Sequence, residues 1–327
     1  MHLPDDLQIA LTQVLQTNSA RSLTRTADDL SQRYRAGHSQ DRHTFLHTQE
    51  DIIAYAAYRL PATFAAIYAA LTAIQARRPD WQPRTLLDAG AGPGTAMWAA
   101  TTVWPTLEHV TLLERDRHML NLGQKLALHA DSQAVKQARW RSVDLTGQWE
   151  ETQHDLVICS YVLGELPQAK REAIHEHLWT CTGDTLLFVE PGTPRGFELI
   201  RTVRTQLIAK GTTVIAPCPH DNVCPIQEND WCHFAQRINR TRLHRSVKGA
   251  TLAYEDEKFS YVAISRTPGL PIAGRVIRHP QKRSGHIRME LCTPEGLRTT
   301  TIARSAGQIY HKAQDLNWGA AIEEMDI

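Results

Sequence analysis

The chain has 327 residues, 42% hydrophobic and 22% charged, with a formal net charge of +1. That is enough for one large core, or one core with a small appended unit, in the proportions of an ordinary globular protein. No apolar run is long enough to span a bilayer, because Arg59, Arg77 and Asp80 interrupt the apolar stretches; a helical membrane protein is excluded.

In chain order, residues 1–80 read as helical. Phe64, Ile67, Tyr68, Leu71 and Ile74 follow the i, i+3, i+4, i+7 spacing of one helix, Pro61 suits its first turn, and Arg77-Arg78-Pro79 ends it. Strands and helices then alternate: strands at Thr85–Asp88, Val110–Glu114, Ala138–Asp144, Asp155–Ser160 and Thr185–Glu190, with helices at Thr95–Val103, Asp116–Ala130, Gln168–Thr180 and Arg195–Lys210. This rhythm predicts a mostly parallel sheet with helices on both faces.

The alternation stops at Gly211, and a strand at Phe259–Ser265 returns to the sheet. After Pro268, Ile287, Met289 and Leu291 alternate with Arg288 and Glu290, and Thr293-Pro294-Glu295-Gly296 turns into Arg298–Ile302, which predicts a hairpin. The expected organisation is a helical region (1–80), a nucleotide-type core (81–213), a cysteine-rich insertion (214–249), a returning strand (250–267) and a terminal β module (268–327).

The near-neutral total conceals a gradient. Residues 195–288 carry 16 Lys and Arg against 7 Asp and Glu, a concentration of positive charge that suits a polyanion. The stretch from Arg237 to Arg245 is its densest part, and Lys248, Lys282 and Arg283 extend it. A solvated basic helix is the plainer reading of the same stretch.

The loop LLDAGAGPGTA, Leu86 to Ala96, stands between the first strand and its helix. Gly90, Gly92 and Gly94 allow a tight turn and close backbone approach to a ligand. Asp88 closes the first strand, Glu114 the second and Asp144 the third. Glu114 is suited to accept hydrogen bonds from two ribose hydroxyls, and Asp144 from an adenine amino group. The run D-A-G-A-G-P-G resembles motif I of class I S-adenosylmethionine-dependent methyltransferases. A pyrophosphate-binding dehydrogenase would read G-x-G-x-x-G/A, from which this loop departs after Gly92.

Of six cysteines, Cys159 and Cys181 are isolated in apolar or helical contexts and read as small core residues. Cys218, Cys224 and Cys232 crowd into one segment, C-x5-C-x7-C, and in a reducing compartment such a cluster reads as metal ligands. Cys292 is the candidate fourth ligand, with His220 and His233 as competitors. The spacing is open for a zinc knuckle and acceptable for an iron–sulfur cluster, so composition leaves the two metals near even.

Taken together, PCPHDNVCPIQENDWCHFAQR, the upstream AYRLPATFAAIYAAL, LGELP at 163–167 and DLNWG at 315–319 resemble the methyltransferase-like assembly factors of the mitochondrial small ribosomal subunit and their bacterial relatives. The resemblance covers about residues 50 to 319. It implies a [4Fe–4S] cluster on Cys218, Cys224, Cys232 and Cys292, with zinc as the alternative metal. It also implies S-adenosylmethionine (SAM) on Asp88, Gly90, Gly92 and Gly94, and action on the small subunit or its rRNA. The expected molecule is a monomer without a membrane partner. The N-terminal MHLPDDLQIALTQ has neither a basic n-region nor an Arg-rich presequence, from which a bacterial cytoplasm is expected.

The fourth strand is followed by Cys159-Ser160-Tyr161-Val162-Leu163-Gly164-Glu165-Leu166-Pro167, where amino-group methylases of nucleic acids carry (N/D)-P-P-(Y/F). Ser160, Tyr161 and Glu165 are candidates to line an acceptor pocket, and none is assigned a catalytic role. Two functions therefore stand: an rRNA methyltransferase, and a non-catalytic assembly factor that binds the same cofactors. The glycine loop and the cysteines are expected to lie on separate cores.

Overall fold

The computed structural model describes residues 1–16, 52, 55–57, 59–227, 229–240 and 253–324. In the N-terminal region these include α1 (Asp5–Gln16) and α2 (Leu60–Arg77), while the expected helical content of residues 17–50 lies outside the described residues. Helix α2 starts with Pro61 in its first turn, and most of its residues are buried, as befits a helix inside the core rather than on it.

The alternating region runs β1 (Thr85–Ala89), α3 (Thr95–Val103), β2 (His109–Glu114), α4 (Arg117–Ala127), the short α5 (Gln133–Lys136), β3 (Arg139–Ser142), β4 (His154–Ser160), α6 (Gln168–Thr180), β5 (Thr182–Pro191) and α7 (Pro194–Ile208). It continues with β6 (Thr213–Ala216), β7 (Phe234–Asn239) and β8 (Tyr254–Ser265). The sheet order is β3-β2-β1-β4-β5-β8-β6, with β7 also paired to β8. Strands β3, β2, β1, β4 and β5 pair in parallel, and β8 runs antiparallel to β5, β6 and β7. This order, reversing direction between β1 and β4 and carrying an antiparallel strand next to β5, is that of a class I methyltransferase.

Both faces of the sheet are covered, which is why its strands read as continuous apolar runs. Leu86, Leu112, Leu156, Ile158, Leu187 and Val189 face the core built on α2, α3 and α4. Their neighbours Leu87, Leu113, Val157, Cys159, Leu186 and Phe188 face the core built on α6 and α7. Cys159 and Cys181 are buried apolar residues there, as their contexts predict.

Two strands lie where the sequence suggests only a cysteine segment. Thr213–Ala216 is too short for periodicity to register, and in β7 only Phe234 and Ile238 are buried. The start of the basic stretch is thus strand rather than helix: Arg237 sits in β7, chelated by Asp256 at 2.7 and 2.8 Å and stacked on Tyr254 at 3.9 Å. Arg240 pairs with Glu255 at 3.4 Å. Arg242, Arg245 and Lys248 lie outside the described residues.

A second sheet follows: β9 (Gly274–Val276), β10 (Gln281–Lys282), β11 (His286–Thr293), β12 (Gly296–Ala303) and β13 (Ala321–Ile322), with α8 (Gln308–Asp315) against it. Strands β11 and β12 form the expected hairpin, in register at Ile287↔Ile302 and Leu291↔Arg298. Ile287, Met289 and Leu291 point into a core shared with Tyr310 and Ile322, while Arg288 is exposed.

Candidate functional site

At the carboxyl ends of β1, β2 and β4, where the strand order reverses, lies a cavity of about 420 Å³. Gly90, Gly92, Glu114, Asp144, Ser160, Tyr161 and Glu165 all line it. Gly90 has φ +74°, and a Cβ there would collide with Val162 Cγ2; both facts demand glycine. Glu114 is fixed from two sides: its Oε2 accepts the Gly92 amide at 2.8 Å and its Oε1 the Asp116 amide at 2.8 Å. Each oxygen retains a lone pair for a ligand hydroxyl. Asp144 is held likewise, its Oδ1 accepting the Thr146 amide at 2.8 Å and hydroxyl at 2.7 Å. These bonds hold the Asp144 carboxyl below its ordinary range against the opposing effect of burial, which is the larger single influence.

Gly94 and Asp88 stand apart from the other loop residues. Gly94, at φ +82°, packs beneath the loop against Trp140, Met97 and Leu112. Asp88 is fully buried under the loop, and neither carboxyl oxygen has a hydrogen bond. Burial, with Glu114 nearby, pushes its pKa up to about 8, although the Met97 amide pulls the other way without reaching hydrogen-bond geometry. Asp88 is not among the residues that line the cavity, contrary to the expectation from the motif; it lies buried in β1, just before the loop.

Beyond β4, Tyr161 takes a left-handed backbone, φ +59°, costly for a bulky residue. Its amide donates to the Val189 carbonyl at 2.7 Å and its hydroxyl to Glu257 Oε1 at 3.1 Å. Glu257 also receives both arms of Arg59, at 3.2 and 2.9 Å. Burial, then Glu257, hold the Tyr161 phenol well above its ordinary range. Arg59 falls within the AYRLPATFAAIYAAL run, but its pairing with Glu257 escapes sequence reading because 198 residues separate the two.

The cysteines converge elsewhere. Cys218, Cys224, Cys232 and Cys292 line a second cavity of about 40 Å³, with His220, Arg201, Arg204, Phe197, Ile277 and Tyr261. His220 Nε2 lies 3.6 Å from Cys292 Sγ. His233 does not line this cavity; it stacks on Trp231. Burial raises the Cys224 and Cys232 thiols, and burial beside Cys218 and Cys224 pushes Cys292 up to about 12. Among the described residues no three His, Cys, Asp or Glu side chains converge closely enough to hold a single metal ion.

The segment carrying the first three cysteines is held by arginines that the sequence did not single out. Arg204 donates to the carbonyls of His220 and Asn222, both at 2.8 Å, and Arg275 to that of Pro217 at 2.8 Å. Arg77 donates to Ile215 at 2.7 Å. The two cavities are only partly separate: Cys292 and Cys224 belong to a small cluster with Phe197, Ile226 and Ile277, whereas Tyr261, Phe234 and Cys232 pack on the core of the α2 face that also takes Ala91 of the glycine loop and Tyr161. Strand β8 explains this, since its Glu257 reaches Tyr161 while its Ser260 donates to the Cys232 carbonyl at 2.7 Å.

A family model described as mitochondrial small ribosomal subunit Rsm22 matches residues 49–323. The human protein named ribosome assembly protein METTL17, mitochondrial, is 32% identical over 296 residues, covering 84% of this chain and 62% of that protein. The Schizosaccharomyces pombe Rsm22-cox11 tandem protein 2, mitochondrial, is 26% identical, covering 86% of this chain and 44% of that protein. The chain thus spans 62% and 44% of the length of these two curated relatives. Among solved structures, magnesium protoporphyrin IX methyltransferase of Synechocystis PCC 6803 is 15% identical over 81% of this chain and 98% of that one, with a TM-score of 0.42. The fold class rests on the strand order instead. The expected bacterial cytoplasm is overturned, because these relatives and the family itself are named as mitochondrial.

Proposed function

The chain belongs to the Rsm22 family of the mitochondrial small ribosomal subunit, and from that premise we propose a small-subunit assembly factor that binds SAM and a [4Fe–4S] cluster without transferring a methyl group. The observation that carries the non-catalytic reading is the state of Tyr161. Its hydroxyl, on the cavity wall where an acceptor would enter, is bonded to a Glu257 that Arg59 already clamps. Among the described residues no His, Lys or Cys lines that cavity, and Glu165 is the remaining group near the acceptor side that could take a proton.

SAM binding is supported by the fixed carboxylate of Glu114 for the ribose, by Asp144 for the adenine, and by the backbone of Gly90 and Gly92 lining the cavity. The cluster reading is supported by four thiols around one small cavity. The choice of cluster over zinc rests on the all-cysteine set and its open C-x5-C-x7-C spacing. Cys218, Cys224, Cys232 and Cys292 would hold the cluster, and when bound it would cross-link the two sheets. Exposed Arg283, Arg288, Arg298 and Arg304 on and beside the second sheet offer phosphate contacts to rRNA.

An rRNA methyltransferase is the second reading, favoured by the intact Glu114 and Asp144. Mass mapping of small-subunit rRNA methylation, with and without the protein, decides between them. We expect the same methylation pattern in both and a defect confined to subunit assembly. A methyl mark that vanishes with the protein, and returns with wild type but not with a SAM-site variant, would overturn the non-catalytic reading.

A further inference from the structure

Two buried arginines beside the cysteine cavity carry charge that the protein leaves unmatched. Arg204 and Arg275 are each only 4% exposed. Arg204, from α7, lines the cavity. Its two bonds, to the His220 and Asn222 carbonyls, both leave from Nη2, and its Nε is buried without a partner. Arg275, from β9, spends Nε on the Pro217 carbonyl and Nη1 on that of Gly319 at 2.9 Å, and its Nη2 is buried without a partner. Among the described residues neither has a carboxylate within ion-pair distance. Backbone carbonyls supply dipoles, not a countercharge, and an uncompensated buried guanidinium is strongly unfavourable.

The surroundings do not supply the missing anion. Apart from its arginines and the four cysteines, the polar side chains lining the pocket are those of His220, Ser260 and Tyr261, and no carboxylate lines it among the described residues. An anion completes the site only when the four sulfurs are held together as thiolates around a metal centre.

We propose that Arg204 and Arg275 form a cationic cradle for an anionic metal–thiolate centre. Arg204 donates its unused Nε–H toward it. Arg275 fixes Pro217, next to Cys218, while adding its charge. The inference rests on the reading that the cysteine cavity is a metal site. It adds that these two arginines, which are not ligands, set how tightly the centre is held and how readily it accepts an electron. Positive charge nearby favours the form with one more negative charge, so removing it disfavours reduction.

The test uses the full chain purified anaerobically, as wild type, Arg204→Gln, Arg204→Lys and Arg201→Glu. Metal content, rate of metal loss to a chelator and midpoint potential are measured, with thermal unfolding as the check on folding. Arg204→Gln should lose metal at least tenfold faster. Its reduced-to-oxidised ratio at a given potential should fall about tenfold, a shift of about 59 mV for one electron. Arg204→Lys, which keeps the charge, should stay within about threefold of wild type on both counts.

Arg201→Glu adds a negative charge at the cavity's more exposed rim without emptying a buried site. It should shift the potential in the same direction as Arg204→Gln, and this decides the matter should Arg204→Gln fail to fold. Unchanged metal loss and potential in folded Arg204→Gln, or in Arg201→Glu, would overturn the cradle. Wild-type protein holding zinc would remove the cluster reading alone, since the chelator comparison still judges the arginines. Wild type holding no metal would remove both.

Discussion

The two cavities are built in opposite ways. The glycine-loop cavity takes its principal polar contacts from the ends of β1, β2 and β3, and those contacts satisfy one another: Glu114 secures Gly92 and Asp116, and Asp144 secures Thr146. The cysteine cavity gathers Cys218, Cys224 and Cys232 from one segment and Cys292 from another sheet, and it leaves Nε of Arg204, Nη2 of Arg275 and Nδ1 of His220 without partners. A site whose polar groups are satisfied by the protein exists before its ligand arrives. A site with unmatched buried charge is completed by its ligand, and folding and binding are then one equilibrium.

The sharpest way to break this contrast is to remove one thiol. Cys292→Ser should abolish metal binding and, with it, the stability that the metal contributes, about 4 kcal/mol for a ligand present at a thousand times its Kd. SAM affinity should stay within about threefold of wild type. The two cavities share part of the α2-face core, but Cys292 lies in a cluster of its own and the hydrogen bonds that shape the glycine loop do not pass through any cysteine. Metal content, urea midpoint and SAM calorimetry on one preparation give all three results. Loss of SAM binding in a folded, metal-free variant would mean that β8 ties the cavities together and the contrast is false.

A smaller effect is expected from Glu114→Ala. It removes two charge-assisted hydrogen bonds to a ribose, each on the order of 1.5–3 kcal/mol, and releases the Gly92 and Asp116 amides. Because the lost contacts do not add fully, SAM binding should weaken by about 2–3 kcal/mol in calorimetry while metal content is unchanged. Equal affinity in variant and wild type would remove Glu114 from the binding role and leave it as a brace for the loop.

Legibility in the sequence follows the same division. The first cavity could be read because a glycine loop, a strand end and an acidic residue are local patterns, and β1, α3, β4 and α6 fall within a residue or so of where periodicity and flanking turns put them. The cysteines could be listed because thiols are few. Their neighbours could not, since Arg204, Arg275, Arg59 and Glu257 look like any surface charge until topology buries them. Strands β6 and β7 were hidden for a related reason: their identity comes from pairing with β8, not from their own alternation.

Asp88 is the exception inside the self-satisfied cavity, and it provides the finest test of the comparison. Both its oxygens are buried without hydrogen bonds, so burial and the neighbouring Glu114 raise its pKa to about 8 from an ordinary 3.8. Below about pH 4 the folded and unfolded chains both hold the proton, and its contribution to stability is fully present. As pH rises toward 8 the unfolded chain releases the proton while the folded one retains it. Stability should therefore fall, by at most about 1.4 kcal/mol per pH unit. Above the folded pKa both states are ionised and the fall ends. Asp88→Asn lacks the titration and keeps the shape. Relative to wild type it should gain stability between pH 5 and 8, by up to about 4 kcal/mol in all, and show little further gain above that, as read from urea midpoints at each pH. The opposite slope, wild type gaining on Asp88→Asn as pH rises, would mean that Asp88 is ionised and paired in the folded protein, and that the polar groups of the first cavity are satisfied without exception.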